Sequence, residues 1–133
     1  MQSANFDLAT IRIFLHVLAV TVWVGGQIVM MALLPVLRSS GVEGLAAKAA
    51  QAFQNVAWPA FALAIFTGIW NFLSVDDPTS GWSMVFGIKF LFVVASGVAA
   101  FVHAKTTDKK MKGITGALGF VTAVVAMFLG YVL

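Results

Sequence analysis

The chain has 133 residues, of which 61% are hydrophobic and 10% charged, with a formal net charge of +3 and no cysteine. Soluble domains carry roughly 25% charged residues, so an ordinary water-facing surface is excluded. The lack of cysteine excludes disulfides, thiolate metal sites and a cysteine nucleophile, and no basic block is dense enough to mark a nucleic-acid partner.

A membrane-crossing helix needs about 20 apolar residues, and four such segments nearly fill the chain. The first runs from about Leu8 to Leu37. At 1.5 Å per residue this is about 45 Å, more than the ~30 Å of a hydrocarbon core, so the helix must tilt or protrude. Met1–Thr10 contains no basic residue, and the segment therefore reads as a retained span rather than a cleaved signal. Pro35 and Arg38 mark its exit. The Ala-rich stretch Gly41–Ala52, with Glu43, Lys48 and Gln51, is expected to be a surface helix leading into the second span, about Phe53–Leu73. Pro59 then falls in the first turns of that span, where a missing N–H matters least.

Asp76-Asp77-Pro78 breaks the chain before the third span, about Trp82–Ala104. A loop with Lys105, Lys109, Lys110 and Lys112 precedes the fourth, about Ile114–Leu133. Short connections predict an all-α, four-helix up-down bundle forming a single transmembrane domain. Glycines at 25, 26, 68, 87, 97, 116 and 119 suit close helix packing. Arg38, Lys48 and the loop lysines collect on one side, and Asp7, Asp76 and Asp77 on the other. The positive-inside rule places the lysine-rich side in the cytoplasm of a plasma (inner) membrane and both termini outside. The bilayer is the expected partner, together with a second copy or another membrane protein, since four short helices enclose little volume.

Ionisable side chains inside a span are candidates for function. His16 and Lys89 lie at comparable distances from the starts of spans one and three. Thr67 and Asn71, four residues apart, share one face of span two. Trp23 and Gln27 continue the His16 stripe along span one. His16, Trp23, Gln27, Thr67, Asn71 and Lys89 are thus candidates for one polar cluster. His16 could ligate a metal or haem or carry a proton, and Lys89 could hold an anionic ligand group. His103, near the cytoplasmic end of span three, is too far along the chain axis to share an ion with His16 and would serve a separate metal site. Met30, Met31, Met84, Met111 and Met127 offer thioethers, which suit Cu(I) but are also ordinary fillers of apolar helices. Intramembrane carboxylates are absent, which argues against a conventional proton-driven transporter. No Gly-rich phosphate loop, Ser/His/Asp set or zinc motif is present.

The stretch Phe14-Leu15-His16 through Trp23-Val24-Gly25-Gly26 resembles the opening helix of CopD-like copper-resistance membrane proteins. Val56-Ala57-Trp58-Pro59, Thr67-Gly68-Ile69-Trp70 and Lys89 extend the likeness over most of the chain. The resemblance implies copper binding or movement at the inner membrane, with His16 as the principal ligand. The chain is more distantly similar to HemJ-type protoporphyrinogen oxidases, four-helix membrane proteins with an opening histidine. That similarity implies haem b, with His16 as axial ligand and Lys89 needed for activity. Leu34-Pro35-Val36-Leu37-Arg38 and the fourteen-residue spacing from Lys89 to His103 depart from the HemJ pattern and favour the CopD side. A third reading is a small accessory subunit of a larger membrane complex.

Overall fold

A computed structural model describes residue 4 and residues 6–133; the rest of the N-terminal stretch without basic residues lies outside the described residues. These residues form helices α1 (Leu8–Val20), α2 (Gly26–Arg38), α3 (Leu45–Leu73), α4 (Ser80–Lys105) and α5 (Lys109–Val132), with a π-helical turn, Thr21–Gly25, joining α1 to α2. There is no strand among the described residues. Four helical segments are long and apolar enough to cross a membrane: Leu8–Arg38, Leu45–Leu73, Ser80–Lys105 and Lys109–Val132. The fold is that of an all-α, four-helix integral membrane protein. Most large apolar side chains face outward, Phe14, Leu91 and Phe128 among them, as expected where the surrounding solvent is hydrocarbon.

The helix ends follow from local chemistry. Asp7 caps α1: its carboxylate accepts from the Thr10 backbone N–H at 2.8 Å and from the Thr10 hydroxyl at 2.9 Å. The N–H and O–H donors hold the Asp7 carboxyl below its usual range, the backbone N–H contributing most. Thr79 caps α4 by accepting from the Trp82 N–H at 3.1 Å, and Asp108 caps α5 by accepting from the Lys110 N–H at 3.0 Å. The turn between α2 and α3 uses Gly41 and Gly44 at φ of 77° and 75°, a left-handed conformation in which a side chain would be strained.

The Ala-rich stretch is not a separate surface helix. It belongs to α3, which runs unbroken for 29 residues from Leu45. Pro59 therefore lies mid-helix rather than in the first turns. Membrane helices tolerate such a proline because neighbouring groups re-satisfy the freed backbone.

The chain divides after Ser74 into two compact units, each a helical hairpin. In the first, contacts pair His16 with Thr67, Trp23 with Trp58 and Gly26 with Phe53, so rising numbers in the first span meet falling numbers in α3 and the helices are antiparallel. Its buried residues are Ala19, Trp23, Val24, Ala57, Thr67 and Gly68. In the second, Lys89 meets Gly130, Ser96 meets Gly119 and His103 meets Gly116, again antiparallel. Its seam is made of small residues: Ser96, Gly97, Thr115, Gly119, Ala123 and Ala126. A Cβ at Gly119 would sit 3.6 Å from the Ala100 backbone N, so the two backbones approach closely there. The Ser96 hydroxyl, 1% exposed, donates across the seam to the Gly119 carbonyl at 3.0 Å.

Candidate functional site

The polar groups of the first unit form two rungs between α1 and α3. Arg12 and His16 are one turn apart on α1; Thr67 and Asn71 are one turn apart on α3. Because the helices are antiparallel, the pairs match crosswise. His16 bonds to Thr67, with Nδ1 and Oγ1 2.9 Å apart, and the Arg12 Nε–H donates to Asn71 Oδ1. The number of available hydrogens sets the direction of the first rung. The Thr67 hydroxyl has one, and its nearest carbonyl is that of Leu63 at 2.7 Å, with that of Ala64 at 3.3 Å. With the hydrogen given to Leu63, Thr67 Oγ1 accepts from His16 and Nδ1 is the donor. In the neutral imidazole the lone pair then resides on Nε2. Thr67 is fully buried, so the exchange occurs away from solvent. Gly68 makes room for the ring: a Cβ there would stand 3.3 Å from His16 Cε1.

Toward the middle of the span, the π turn holds Trp23, which is 7% exposed. Its ring packs 5.3 Å from Trp58 and 4.5 Å from Phe61, centroid to centroid. The Gln27 amide, in the first turn of α2, donates back to the Trp23 carbonyl in the π turn at 2.9 Å. Single π turns recur at functional positions of helices.

Arg12 escaped the sequence-based choice of candidates. Its guanidinium donates to Asn71 and, through Nη1, to the Ser74 hydroxyl at 3.0 Å, and it lies 5.7 Å from the Trp70 ring centroid. The signal available in the sequence was the matched four-residue spacing: Arg12–His16 on one helix and Thr67–Asn71 on the next, which an antiparallel hairpin can bring face to face.

His103 and Lys89 belong to the second unit. His103 Nδ1 lies 2.7 Å from the Lys112 carbonyl, which can only accept, so His103 is also an Nδ1 donor. Its ring rests on Gly116, where a Cβ would be 3.1 Å away. Lys89 lies across Gly130, with Nζ 3.0 Å from where a Cβ would be; neither α4 nor α5 contains a carboxylate. His16, Trp23, Gln27, Thr67 and Asn71 therefore share the first unit, with His16 bonded to Thr67, Gln27 to the Trp23 backbone and Asn71 to Arg12. Lys89 and His103 stand in the second, at separate positions along α4. Among the described residues, no group of three or more His, Cys, Asp or Glu side chains is placed to hold a metal ion.

These features define a four-span integral membrane protein with an imidazole hydrogen-bonded to a buried threonine inside its first helical hairpin. No protein-family description, curated protein or solved structure matches the chain.

Proposed function

We propose that this protein binds a metal-containing redox cofactor in a plasma membrane, with His16 as the ligating side chain. The observation that carries the reading is the Leu63–Thr67–His16 relay. A ligating imidazole ordinarily donates its other ring N–H to a neighbouring acceptor, which fixes tautomer and orientation. An Nδ1–H directed at Thr67 leaves the lone pair on Nε2, one of the two ring nitrogens through which imidazole ligates iron or copper.

The donor set favours haem over copper. Haem iron takes one protein nitrogen per axial position, which a lone, oriented imidazole supplies. A copper ion needs two or more soft or imidazole ligands together, and the relay around His16 is built from Thr67, Gly68 and Leu63, none of them a copper ligand. Bound haem would supply one-electron chemistry. The protein's share is to hold the imidazole tautomer, exclude water through the buried Thr67 and surround the site with apolar helix. A second copy or a membrane partner would supply any further axial ligand. Copper handling, suggested by the CopD-like first span, remains the second reading. In either case the lysine-rich end where α4 finishes and α5 begins would face the cytoplasm, and both termini the outside.

The test is a visible spectrum of the detergent-purified protein from haem-replete cells, oxidised and dithionite-reduced, beside His16→Ala. An intense Soret band that shifts on reduction and is lost in the variant supports haem ligation. A colourless protein that retains copper through His16 would replace haem by copper. A protein with neither, co-purifying with a partner, would overturn the reading in favour of an accessory subunit.

A further inference from the structure

A second site lies at the membrane face where α1 begins and α3 ends. We propose that Arg12, held between Asn71 and Ser74 and backed by Trp70, binds the phosphate of an anionic lipid headgroup. A guanidinium has five N–H donors. Arg12 uses two of them, Nε to Asn71 and Nη1 to Ser74. The Ser74 acceptor is oriented in advance: its hydroxyl gives its own hydrogen to the Trp70 carbonyl at 2.8 Å, which leaves the oxygen to accept from Arg12. The Nε–H and one Nη1–H are thus committed to the protein, and three donors remain, one on Nη1 and two on Nη2. Asp7, the nearest acidic residue along the helix, is committed to capping α1 through Thr10, and Arg12 is the weakest of the influences on its carboxyl.

The surroundings identify the anion. Arg12 is four residues past the start of α1, about 6 Å into the helix. Leu8, Ile11 and Phe14 beside it on α1, and Ile69 and Leu73 on the end of α3, are exposed and apolar, so this surface faces lipid. A cation at that depth is costly without a counter-charge, and an arginine side chain readily extends to headgroup level. The planar fork matches a phosphate in bidentate fashion, and Trp70 is a residue type that settles at the same interface. The site is separate from the His16 relay and does not depend on it.

The test is native mass spectrometry of the full-length protein in detergent, titrated with phosphatidylglycerol, phosphatidylcholine or inorganic phosphate, for wild type, Arg12→Gln and Arg12→Lys. The lysine-rich end is the same in all three, so differences among them report on Arg12. Wild type should bind phosphatidylglycerol about tenfold more tightly than Arg12→Gln does, the magnitude of one charge-assisted hydrogen-bond pair. Arg12→Lys, which keeps the charge but loses the fork, should fall between them, and it decides the question if Arg12→Gln does not fold. Equal lipid affinity in wild type and variants would overturn the proposal and leave Arg12 as a staple between helix ends. Competition by inorganic phosphate at concentrations matching the lipid would overturn the lipid assignment in favour of a soluble anion.

Discussion

Replacing Thr67 by valine changes the shape of a fully buried side chain very little and removes one oxygen. That oxygen accepts from His16 and donates to Leu63. The Leu63 carbonyl already belongs to a helix, so its loss is minor; the His16 N–H loses its acceptor at a buried position between two helices. Interhelical hydrogen bonds in membrane proteins average about 0.6 kcal/mol and reach about 1.7, and a complete loss of solvation would set an upper range of about 1–3 kcal/mol. Since the Thr67 end of the hydrogen bond is fully buried, a coupling toward the upper membrane value, about 1–1.7 kcal/mol, is expected. A double-mutant cycle of Thr67→Val and His16→Phe, read by reversible unfolding in mixed detergent micelles, isolates the pair. The coupling corresponds to roughly fivefold to twentyfold in the unfolding constant. Thr67→Ser, which keeps the hydroxyl, should lose less than Thr67→Val. A coupling below about 0.3 kcal/mol, the usual scatter of additive sites, would refute the His16–Thr67 hydrogen bond on which the cofactor reading depends.

Two further outcomes are expected. Ser96→Ala should destabilise the second hairpin by about 1 kcal/mol, because the Gly119 carbonyl loses its cross-seam donor; thermal unfolding in detergent measures it, and an unchanged midpoint would show that the donor is dispensable. The Thr10 donors hold the Asp7 carboxyl below the ordinary aspartate value, so its protonation is harder in the folded helix than in the unfolded chain. The cap's contribution is therefore complete above about pH 4 and is lost as pH falls through the lowered folded value. Amide exchange at the first turn of α1 should accelerate only in that acidic window, and Asp7→Asn should remove most of the dependence.

The spans were legible because composition and apolar runs respond to one overriding free-energy change, the transfer of side chains into hydrocarbon. The starts of the last two helices were placed too late: α4 begins at Ser80 rather than about Trp82, and Lys109, Lys110 and Lys112, expected in a loop before Ile114, form the first turn of α5, because Thr79 and Asp108 cap those helices further upstream. The Ala-rich stretch misled because charge and small size suggest a surface segment, while good helix propensity simply extends α3 toward Leu45. His16 and Thr67 were identifiable as polar residues in apolar helices, but their pairing was not, since nothing in either segment alone fixes which faces meet. Arg12 was overlooked because it lies just inside the start of the first span, where a charge reads as part of the flanking pattern rather than as an intramembrane group. Its partners, Asn71 and Ser74, lie 59 and 62 residues away, beyond the reach of any local pattern.

The π turn at Thr21–Gly25 acts as a phase shifter. An uninterrupted α-helix repeats every 3.6 residues and presents a single stripe along its whole length. An extra residue in one turn rotates everything beyond it by about 100° relative to what precedes. α1 can therefore aim Arg12 and His16 at α3 while α2 independently aims Gly26 at Phe53 on the same helix. The chemistry-bearing half and the packing half of one span are thereby free to change register separately, and a single-residue deletion between them would act at a distance from either.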